Sequence, residues 1–229
     1  MTRRLLLVRH GVTTWNREGR FQGHLDPPLD GAGIDEARRL VARLLAEEPE
    51  PDRMRIVSSP LQRAMATAEI LHALLSRANS ATSISSDARL MEIGQGDWEG
   101  LTHHELETSD AARYRAWREG DGTAQPPGAE PLGDAARRVV AAVDELTRDA
   151  GTPVLMVSHG GILRLAARHL LGLELKRAWS MDVDNASLSR LSREDDAPVW
   201  RLDGWNDTSH LLGHAPQHTD EVDGAPLAL

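Results

Sequence analysis

The feature that most constrains the fold is a pair of short apolar runs, each followed by a polar tip and glycine. Leu5 to Val8 is apolar without alternation, and residues 154–158 repeat the pattern. Such runs are typical of strands buried on both faces of a parallel sheet. The first run leads into Arg9-His10-Gly11 and the second into His159-Gly160-Gly161. Because open α/β sheets bind ligands outside the carboxyl ends of their strands, both tips are candidate ligand sites.

Strands and helices alternate along the chain, which predicts an α/β fold in three layers, α/β/α, around a mostly parallel sheet. Ser59 and Pro60 form a strong helix start, with Ser59 as the N-cap and Pro60 as the first helical residue. Asp30 is the expected N-cap of an earlier helix. The predicted segments are strands 5–8, 55–58, 82–86, 154–158, 188–191 and 199–202, and helices 31–48, 60–75, 101–119 (one or two), 132–146 and 162–171.

The length of 229 residues suits a single domain. A chain of this size buries a sufficient core without disulfides or metal. We expect the domain to span residues 1–206, with a lid-like insertion at 101–131. A loosely packed C-terminal tail is predicted at 207–229, where glycine and proline recur.

The composition excludes several classes of function. The formal net charge of −9 argues against a general binder of nucleic acid or anionic membranes. Any pocket for an anionic substrate must therefore be a local island of positive charge. The absence of cysteine removes disulfides, cysteine-bound zinc and thiolate-nucleophile phosphatase mechanisms. The N-terminal apolar run is too short for a signal peptide, and none approaches ~20 residues. We expect a soluble, cytoplasmic protein without nucleic-acid or membrane partners.

Basic groups coincide at three predicted strand ends. His10 and His159 each follow a buried strand, and Arg63 lies in the first turn of the helix that Ser59 is expected to cap. Glycine lets backbone N–H groups approach an oxyanion, and a helix N-terminus favours an anion. Taken alone, each residue is more simply explained by a structural role, such as a core histidine satisfied by one hydrogen bond. Because parallel strand ends lie side by side, their coincidence favours a phosphate-binding site.

These residue types match phosphoryl transfer, which needs a nucleophile, donors for the non-bridging oxygens and an acid for the leaving group. A neutral imidazole is nucleophilic near pH 7 if its other nitrogen donates to a carbonyl. His10 is the candidate nucleophile. Arg9 and Arg63 are the candidate donors to the phosphoryl oxygens, and His159 is expected to donate a further hydrogen bond as an imidazolium.

The candidate acids lie in one predicted loop, which contains Glu92, Asp97 and Glu99. Glu92 has an apolar residue on each side, and such surroundings favour the protonated form that a general acid requires. Asp97 and Glu99, which flank a tryptophan, fit a loop-stabilising role better. Position alone therefore favours Glu92.

Together these residues resemble the histidine phosphatase superfamily, the phosphoglycerate mutase-like enzymes. The matching motifs are Arg9-His10-Gly11, Arg63 in SSPLQRAMATAEI, Glu92 in MEIGQGDWEG and His159 in SHGGILR. The resemblance extends from Leu5 to Asn206. It implies a mixed sheet between two helical layers and catalysis without a metal or another cofactor. It also implies contacts to the substrate phosphate from Asn16, Gln22 and Gly23.

The resemblance also separates the phosphatases of this family from its mutases. The mutases carry a longer insertion between the acid and the second histidine, with an Arg-Arg pair that grips the substrate carboxylate. Here 66 residues separate Glu92 from His159, and residues 101–131 contain no Arg-Arg pair. The phosphatase branch is therefore favoured. GDWEGLTH, AWRE, NAS and WRLDGWN look similar to actinobacterial glucosyl-3-phosphoglycerate phosphatases and their broad-specificity relatives, whereas PPGAEP departs from their PPGGES.

We therefore expect a metal-independent phosphatase that hydrolyses small phosphomonoesters, of sugar phosphate or phosphoglycerate type, through a phosphohistidine. The lid-like segment, with Tyr114, Trp117 and Arg118, is expected to select the alcohol. The expected partner is a small anionic phosphorylated substrate, bound by a monomer or homodimer. Two alternatives stay open: a cofactor-dependent mutase-type phosphotransferase and a non-catalytic module that binds phosphorylated ligands.

Overall fold

The computed structural model describes residues 2–76, 82–119, 124–149 and 151–212. Its strands are β1 (Thr2–Arg9), β2 (Arg55–Ser58), β3 (Ser83–Ser86), β4 (Val154–Ser158), β5 (Leu188–Glu194) and β6 (Arg201–Asp207). Its helices are α1 (Thr14–Arg17), α2 (Gly31–Glu47), α3 (Gln62–Leu75), α4 (His103–Ser109), α5 (Ala111–Arg118), α6 (Leu132–Leu146), α7 (Gly160–Leu171) and α8 (Leu175–Trp179). The strands form one sheet in the order β3-β2-β4-β1-β5-β6.

Strand β1 lies inside the sheet and pairs in both orientations. It is parallel to β4 and antiparallel to β5. Strand β2 is parallel to both β3 and β4, so the sheet is mixed, as the family resemblance implies. The parallel strands β1, β2 and β4 end at the same edge, where Arg9 lies opposite Ser158 and Ser58 opposite Val157. This register places the residues that follow the three strands side by side.

Alternate side chains of β1 enter two separate cores. Leu5 and Leu7 pack on the face covered by α6 and α7, whereas Leu6 and Val8 pack on the face covered by α2 and α3. All four side chains are at most 2% exposed. Burying one such side chain contributes roughly 1.5–3 kcal/mol. Burial on both faces explains the unalternated apolar run and confirms the three-layer α/β/α fold.

The predicted start signal is confirmed at α2 but not at α3, and α6 has the predicted bounds. The Asp30 side chain accepts a backbone N–H of the first turn of α2 at 2.9 Å, and α6 covers the predicted residues. The prediction that Ser59 caps α3 is wrong, because the helix begins at Gln62 and has no side-chain cap. The Ser59 hydroxyl instead lies 2.8 Å from His159 Nε2. This tertiary contact replaces the local cap.

The edge strand β6 begins at Arg201, later than the predicted residue 199, and extends beyond the predicted end at residue 202. It runs to Asp207, which therefore belongs to the sheet rather than to a tail beginning at residue 207. The Asp207 carboxylate pairs with the guanidinium of Arg43 on α2, at 2.6 and 2.7 Å. Residues 213–229 of the predicted tail and 120–123 of the predicted lid lie outside the described residues. None of the described helices is long and apolar enough to cross a membrane.

Candidate active site

The carboxyl edge of the parallel strands opens into one cavity. His10 follows β1, Arg63 lies in the first turn of α3 after β2, and His159 lies between β4 and α7. Arg9, His10, Arg63 and Glu92 line the cavity. His159 is fully buried beside it, with its ring centroid 5.2 Å from that of His10. The structure thus brings the five predicted catalytic residues together.

The His10 ring is held in one tautomer. Its Nδ1 lies 2.7 Å from the carbonyl oxygen of Gly11. Because a carbonyl only accepts, Nδ1 carries the proton and Nε2 carries the lone pair. Burial, together with the positive charges of Arg63 and Arg9, lowers the pKa of His10 well below 6.5. The ring is therefore neutral at pH 7, with Nε2 in the form that attacks phosphorus.

Backbone contacts determine the position of His10. Its N–H donates to the carbonyl of Ser158 at 3.0 Å. On the other side, the N–H of Ala186 lies 3.1 Å from the carbonyl oxygens of both Arg9 and His10. Asn185 Nδ2 donates to the His10 carbonyl at 3.0 Å. The nucleophile is therefore held between β4 and the turn that precedes β5.

The Arg9 guanidinium is oriented by a neutral acceptor. Its Nη1 donates to the carbonyl of Val183 at 2.6 Å. Its Nε is buried and donates to no group in the described part of the chain. A carbonyl orients a guanidinium without cancelling its charge, so the positive charge of Arg9 stays available to an anion in the cavity.

Arg63 is oriented in the same way. Its Nη1 and Nη2 donate to the carbonyls of Leu25 at 2.8 Å and Gly23 at 2.9 Å. The carboxylate of Asp26 lies at 3.6 Å, and this carboxylate is partly exposed. Burial lowers the pKa of Arg63 to about 10, so the guanidinium is still protonated at pH 7. It presents a fixed cation to the phosphoryl site.

His159 is a second neutral imidazole beside the nucleophile. Its Nε2 lies 2.8 Å from the Ser59 hydroxyl. Burial, and then the positive charge of Arg63, lowers the pKa of His159 well below 6.5. A dianion in the cavity opposes this positive charge and favours the imidazolium. His159 therefore suits a donor that becomes charged only in the anionic complex.

Glu92 reaches the cavity from the loop after β3. Its Oε1 accepts the N–H of Ile93 at 2.9 Å, and its Oε2 accepts the N–H of Gly161, in the first turn of α7, at 3.3 Å. A Cβ at Gly161 would lie 2.7 Å from Glu92 Oε1, so the glycine makes room for the carboxylate. Glu99 instead accepts two backbone N–H groups at 2.9 Å, which fits the predicted loop-stabilising role.

Arg138 on α6 holds the loop that carries Glu92. Its Nη1 donates to the carbonyls of Arg89 at 2.7 Å and Met91 at 2.6 Å, and its Nη2 donates to the carbonyl of Glu92 at 3.0 Å. Its guanidinium also pairs with the Glu130 carboxylate at 2.7 Å. Sequence reasoning missed this role, because the residue sits on a regular amphipathic helix far along the chain.

The residues that the family resemblance assigns to the substrate phosphate, Asn16, Gln22 and Gly23, line the same cavity. Asn16 Oδ1 accepts the N–H and the hydroxyl of Thr13, both at 3.0 Å, and this closes a capping box on α1. The Thr13 hydroxyl also lies 3.4 Å from Gln22 Oε1. Gly23 has a φ of 48°, and its carbonyl accepts from Arg63. The loop after β1 therefore forms part of the cavity wall and is hydrogen-bonded to Arg63 of α3.

A further part of the cavity wall is formed by the predicted lid and a neighbouring loop. Phe21, His103 and Trp117 line it, and the rings of Phe21 and Trp117 are 5.1 Å apart. His103 Nδ1 lies 2.8 Å from the hydroxyl of Tyr114. Tyr114 is only 3% exposed, and Arg118 lies over its ring. Of the predicted lid residues, Trp117 thus lines the cavity, whereas Tyr114 is hydrogen-bonded to His103 and does not line the cavity itself.

Asn206 is a further residue that sequence reasoning missed. It has a left-handed φ of 51° on β6. Its Oδ1 accepts the N–H of Asp184 at 2.7 Å, and its Nδ2 donates to the Asp184 carboxylate at 2.8 Å. The turn held in this way is the one that contacts the backbone of His10. Two hydrogen bonds therefore connect the edge strand to this turn, and the turn in turn contacts the backbone of the nucleophile.

Residues 5–208 match the family model of the histidine phosphatase superfamily (branch 1). The chain belongs to this superfamily. It is 36% identical over 228 residues to glucosyl-3-phosphoglycerate phosphatase of Mycolicibacterium vanbaalenii, covering 91% of this chain and 96% of the relative. It is 34% identical over 194 residues to phosphoserine phosphatase 1 of Hydrogenobacter thermophilus, covering 84% and 87%.

The fold agrees with solved structures of the superfamily. The mycobacterial glucosyl-3-phosphoglycerate phosphatase complexed with VO3 superposes with a TM-score of 0.76 at 35% identity, covering 89% of this chain and 98% of that chain. The six-stranded mixed sheet is therefore the phosphoglycerate mutase-like fold. The chain is a phosphatase that acts on small phosphorylated substrates.

The cavity of this histidine phosphatase is a positive island in an acidic protein. The chain has a formal net charge of −9, yet Arg9, Arg63 and Arg164 line the cavity with one carboxylate, that of Glu92. Arg20 also lines it, and its guanidinium is paired with a carboxylate at 2.6 Å. Among the described residues, no group of three or more His, Cys, Asp or Glu side chains is placed to hold a metal ion.

Proposed function

We propose that this chain hydrolyses small phosphomonoesters through a phosphohistidine formed on His10. The observation that carries the proposal is the 2.7 Å hydrogen bond between His10 Nδ1 and the Gly11 carbonyl. It leaves Nε2 unprotonated in a cavity lined by Arg9 and Arg63. A neutral nucleophile beside two guanidinium groups suits attack on a phosphoryl group, whose charge is spread over its non-bridging oxygens.

In the first half-reaction, Nε2 of His10 attacks phosphorus, and the N–P bond forms as the P–O bond to the alcohol breaks. Arg9 and Arg63 donate to the non-bridging oxygens, and His159 donates as an imidazolium. Glu92, in its protonated form, transfers its proton to the leaving oxygen, so that the alcohol departs neutral. Removing one of these donors should cost about 2–4 kcal/mol of transition-state stabilisation.

In the second half-reaction, water attacks the phosphorus of the phosphohistidine. The Glu92 carboxylate takes a proton from this water, the N–P bond breaks, and its electron pair returns to Nε2 of His10. Inorganic phosphate then leaves, and Glu92 is again protonated for the next cycle. The same carboxyl group therefore serves as the acid and then as the base, as two steps at one phosphorus require. Asn16, Gln22 and Gly23 complete the proposed phosphate cradle.

We infer a substrate of the sugar phosphate or phosphoglycerate type. The names of the two relatives specify glucosyl-3-phosphoglycerate and phosphoserine, and both compounds are small phosphorylated acids. The proposed alcohol site is the part of the cavity wall formed by Phe21, His103 and Trp117. An aromatic wall with one imidazole suits a polar organic group better than a bare alkyl chain.

Replacement of His10 by alanine tests the proposal. Turnover of p-nitrophenyl phosphate should fall about 10³-fold or more, because no other group accepts the phosphoryl. The matched control is His104→Ala, since His104 is exposed on α4 with 89% of its side chain accessible. In the unmodified enzyme, a phosphate-labelled substrate should label His10 with acid-labile, base-stable phosphate. Turnover that survives His10→Ala would exclude the mechanism.

Measuring the release of inorganic phosphate separates hydrolysis from phosphotransfer. A phosphatase passes the phosphoryl group to water, whereas a mutase-type phosphotransferase passes it to a second alcohol. Release of inorganic phosphate should therefore equal the loss of substrate, also when a phosphoglycerate is added as acceptor. A cytoplasmic location and a monomeric or homodimeric state stay predictions. Cell fractionation and size-exclusion chromatography with light scattering measure them.

A further inference from the structure

Arg164 is a buried cation of the cavity that the proposed phosphoryl chemistry does not use. It lies in the second turn of α7, is 6% exposed and lines the same cavity as Arg9, His10 and Arg63. Its Nε donates to the carbonyl of Met181 at 2.8 Å. This bond orients the guanidinium and leaves Nη1 and Nη2 without a hydrogen-bond partner among the described residues. Sequence reasoning missed Arg164, although its spacing places it one helical turn after Gly160.

Gly160 lets two arginines share one part of the wall. A Cβ at Gly160 would lie 3.3 Å from Arg164 Nη1 and 3.9 Å from Arg9 Nε. The two guanidinium groups therefore flank the same glycine. Burial, followed by the charge of Arg9, lowers the pKa of Arg164 to about 10. Arg164 is still protonated at pH 7 and adds a full positive charge to the cavity.

Within the described part of the chain, no carboxylate forms an ion pair with Arg164. Glu92, Asp182 and Asp184 act on it through space and partly offset the effect of burial. A buried charge without a contacting counter-ion is unfavourable. An anionic ligand therefore gains more from contact with Arg164 than from contact with a solvated arginine.

The number of charges indicates what Arg164 binds. The phosphoryl group of a monoester carries at most two negative charges, which Arg9 and Arg63 match. Arg164 is left for one more negative charge close to the phosphoryl site. A guanidinium matches a carboxylate in geometry as well as in charge. We propose that Arg164 binds a carboxylate of the substrate, so that the enzyme selects phosphorylated hydroxy acids over phosphorylated neutral alcohols. This inference rests on the proposed function and narrows its substrate class.

Two substrates that differ in one group test the proposal. 3-Phosphoglycerate carries a carboxylate where glycerol 1-phosphate carries a hydroxymethyl group. In the unmodified enzyme, kcat/KM for the acid should exceed that for the alcohol by roughly 10- to 100-fold, the effect of one charge-assisted pair. Arg164→Met should remove most of this ratio. Arg164→Lys should restore part of this ratio, because lysine keeps the positive charge but lacks the paired N–H donors of a guanidinium group.

The matched control is Arg168→Met, one turn further along α7 and outside the cavity wall, which should keep the ratio of the unmodified enzyme. Equal kcat/KM values for the two substrates in the unmodified enzyme would overturn the proposal. An equal loss of kcat/KM for both substrates in Arg164→Met would also overturn the proposal, because it would show that Arg164 binds the transferred phosphoryl group. The proposed function fails in a different way: neither substrate turns over, and His10 acquires no phosphate.

An inhibition measurement keeps the test independent of whether the variants fold. 3-Phosphonopropionate and propylphosphonate are stable phosphonates that differ in the terminal carboxylate. 3-Phosphonopropionate should inhibit the unmodified enzyme with an inhibition constant roughly tenfold or more below that of propylphosphonate, which has the phosphonate but no carboxylate. Equal inhibition constants would show that the cavity does not recognise a carboxylate, and would overturn the proposal.

Discussion

Replacement of Asn206 tests whether the edge strand positions the nucleophile. The Asn206 side chain makes two hydrogen bonds to Asp184, at 2.7 and 2.8 Å. The turn held in this way supplies Asn185 Nδ2 and the Ala186 N–H, which contact the His10 carbonyl at 3.0 and 3.1 Å. Loss of the Asn206 side chain should release this turn and let His10 shift. Asn206 is then a positioning residue that acts through the backbone.

The expected loss of stability follows from the bonds and the backbone. A neutral hydrogen bond contributes roughly 0.5–1.5 kcal/mol, and one to a carboxylate about 1.5–3 kcal/mol. Asn206→Gly should therefore lower the free energy of unfolding by about 2–4.5 kcal/mol. Because Asn206 has a φ of 51°, Asn206→Ala should lose about 1–2 kcal/mol more, the cost of a left-handed backbone with a Cβ. The difference between the two variants isolates backbone strain.

Two measurements distinguish positioning from stability alone. Urea unfolding gives the free energy of each variant, and p-nitrophenyl phosphate hydrolysis gives kcat under conditions where the variant is folded. A displaced nucleophile should lower kcat by about 10- to 100-fold in both variants. Leu202→Ala is the control, because Leu202 is 39% exposed on the same strand. A folded Asn206→Gly variant with the kcat of the unmodified enzyme would show that Asn206 does not position His10.

Four further predictions concern the acid and the imidazoles. Gly161→Ala places a Cβ 2.7 Å from Glu92 Oε1 and should displace this carboxyl group. Because p-nitrophenolate leaves without a general acid and an alkoxide does not, kcat should fall more for an alkyl phosphate than for p-nitrophenyl phosphate. An equal fall in kcat for both substrates would show that the acid is not displaced. Arg138→Met removes three hydrogen bonds to the loop that carries Glu92. Its kcat should also fall more for an alkyl phosphate than for p-nitrophenyl phosphate. NMR titration should find His10 and its neighbour His159 neutral at pH 6.5, because burial and nearby arginines lower both pKa values. The imidazoles of His10 and His159 are protonated near pH 6.5 in the unfolded chain but only at lower pH in the folded chain. The free energy of unfolding should therefore fall as the pH drops below 6.5. A rise in the free energy of unfolding over this range would contradict the lowered pKa values.

The meeting of His10 with His159 was predictable because it depends on a general property of parallel sheets. Both residues follow apolar runs, and the carboxyl ends of parallel strands lie at one edge. The register with Arg9 opposite Ser158 realises this geometry. Helix α6 was predictable for a similar reason, since its apolar face is continuous and faces a single core. The periodicity of apolar residues is sufficient to predict a helix or strand where the element buries a single continuous face.

Contacts between distant segments were not predictable from local patterns. Ser59-Pro60 has the local signature of a helix start, yet the Ser59 hydroxyl contacts His159, 100 positions away. Arg164 lies on an amphipathic helix, where a charged residue normally faces solvent. Asn206 lies in a polar stretch that resembles the end of a domain. Each residue has a role because of a partner on another element, and spacing along the chain does not reveal that partner.

The electrostatics of the cavity explain how an acidic chain binds an anionic substrate. Exposed arginines such as Arg38 pair with carboxylates, whereas the guanidinium groups of Arg9 and Arg63 donate to backbone carbonyls. The positive charge of Arg9 and Arg63 therefore stays available to an anion. These buried charges also help to keep His10 and His159 neutral before the substrate arrives. In the proposed mechanism, a phosphoryl dianion offsets the arginine charges, so that His159 gains a proton where a donor is needed. His10 is different, because its Nδ1 already holds a proton and its Nε2 must stay free to attack. The same arginines therefore protect the nucleophile in the free enzyme and bind the phosphoryl group in the complex.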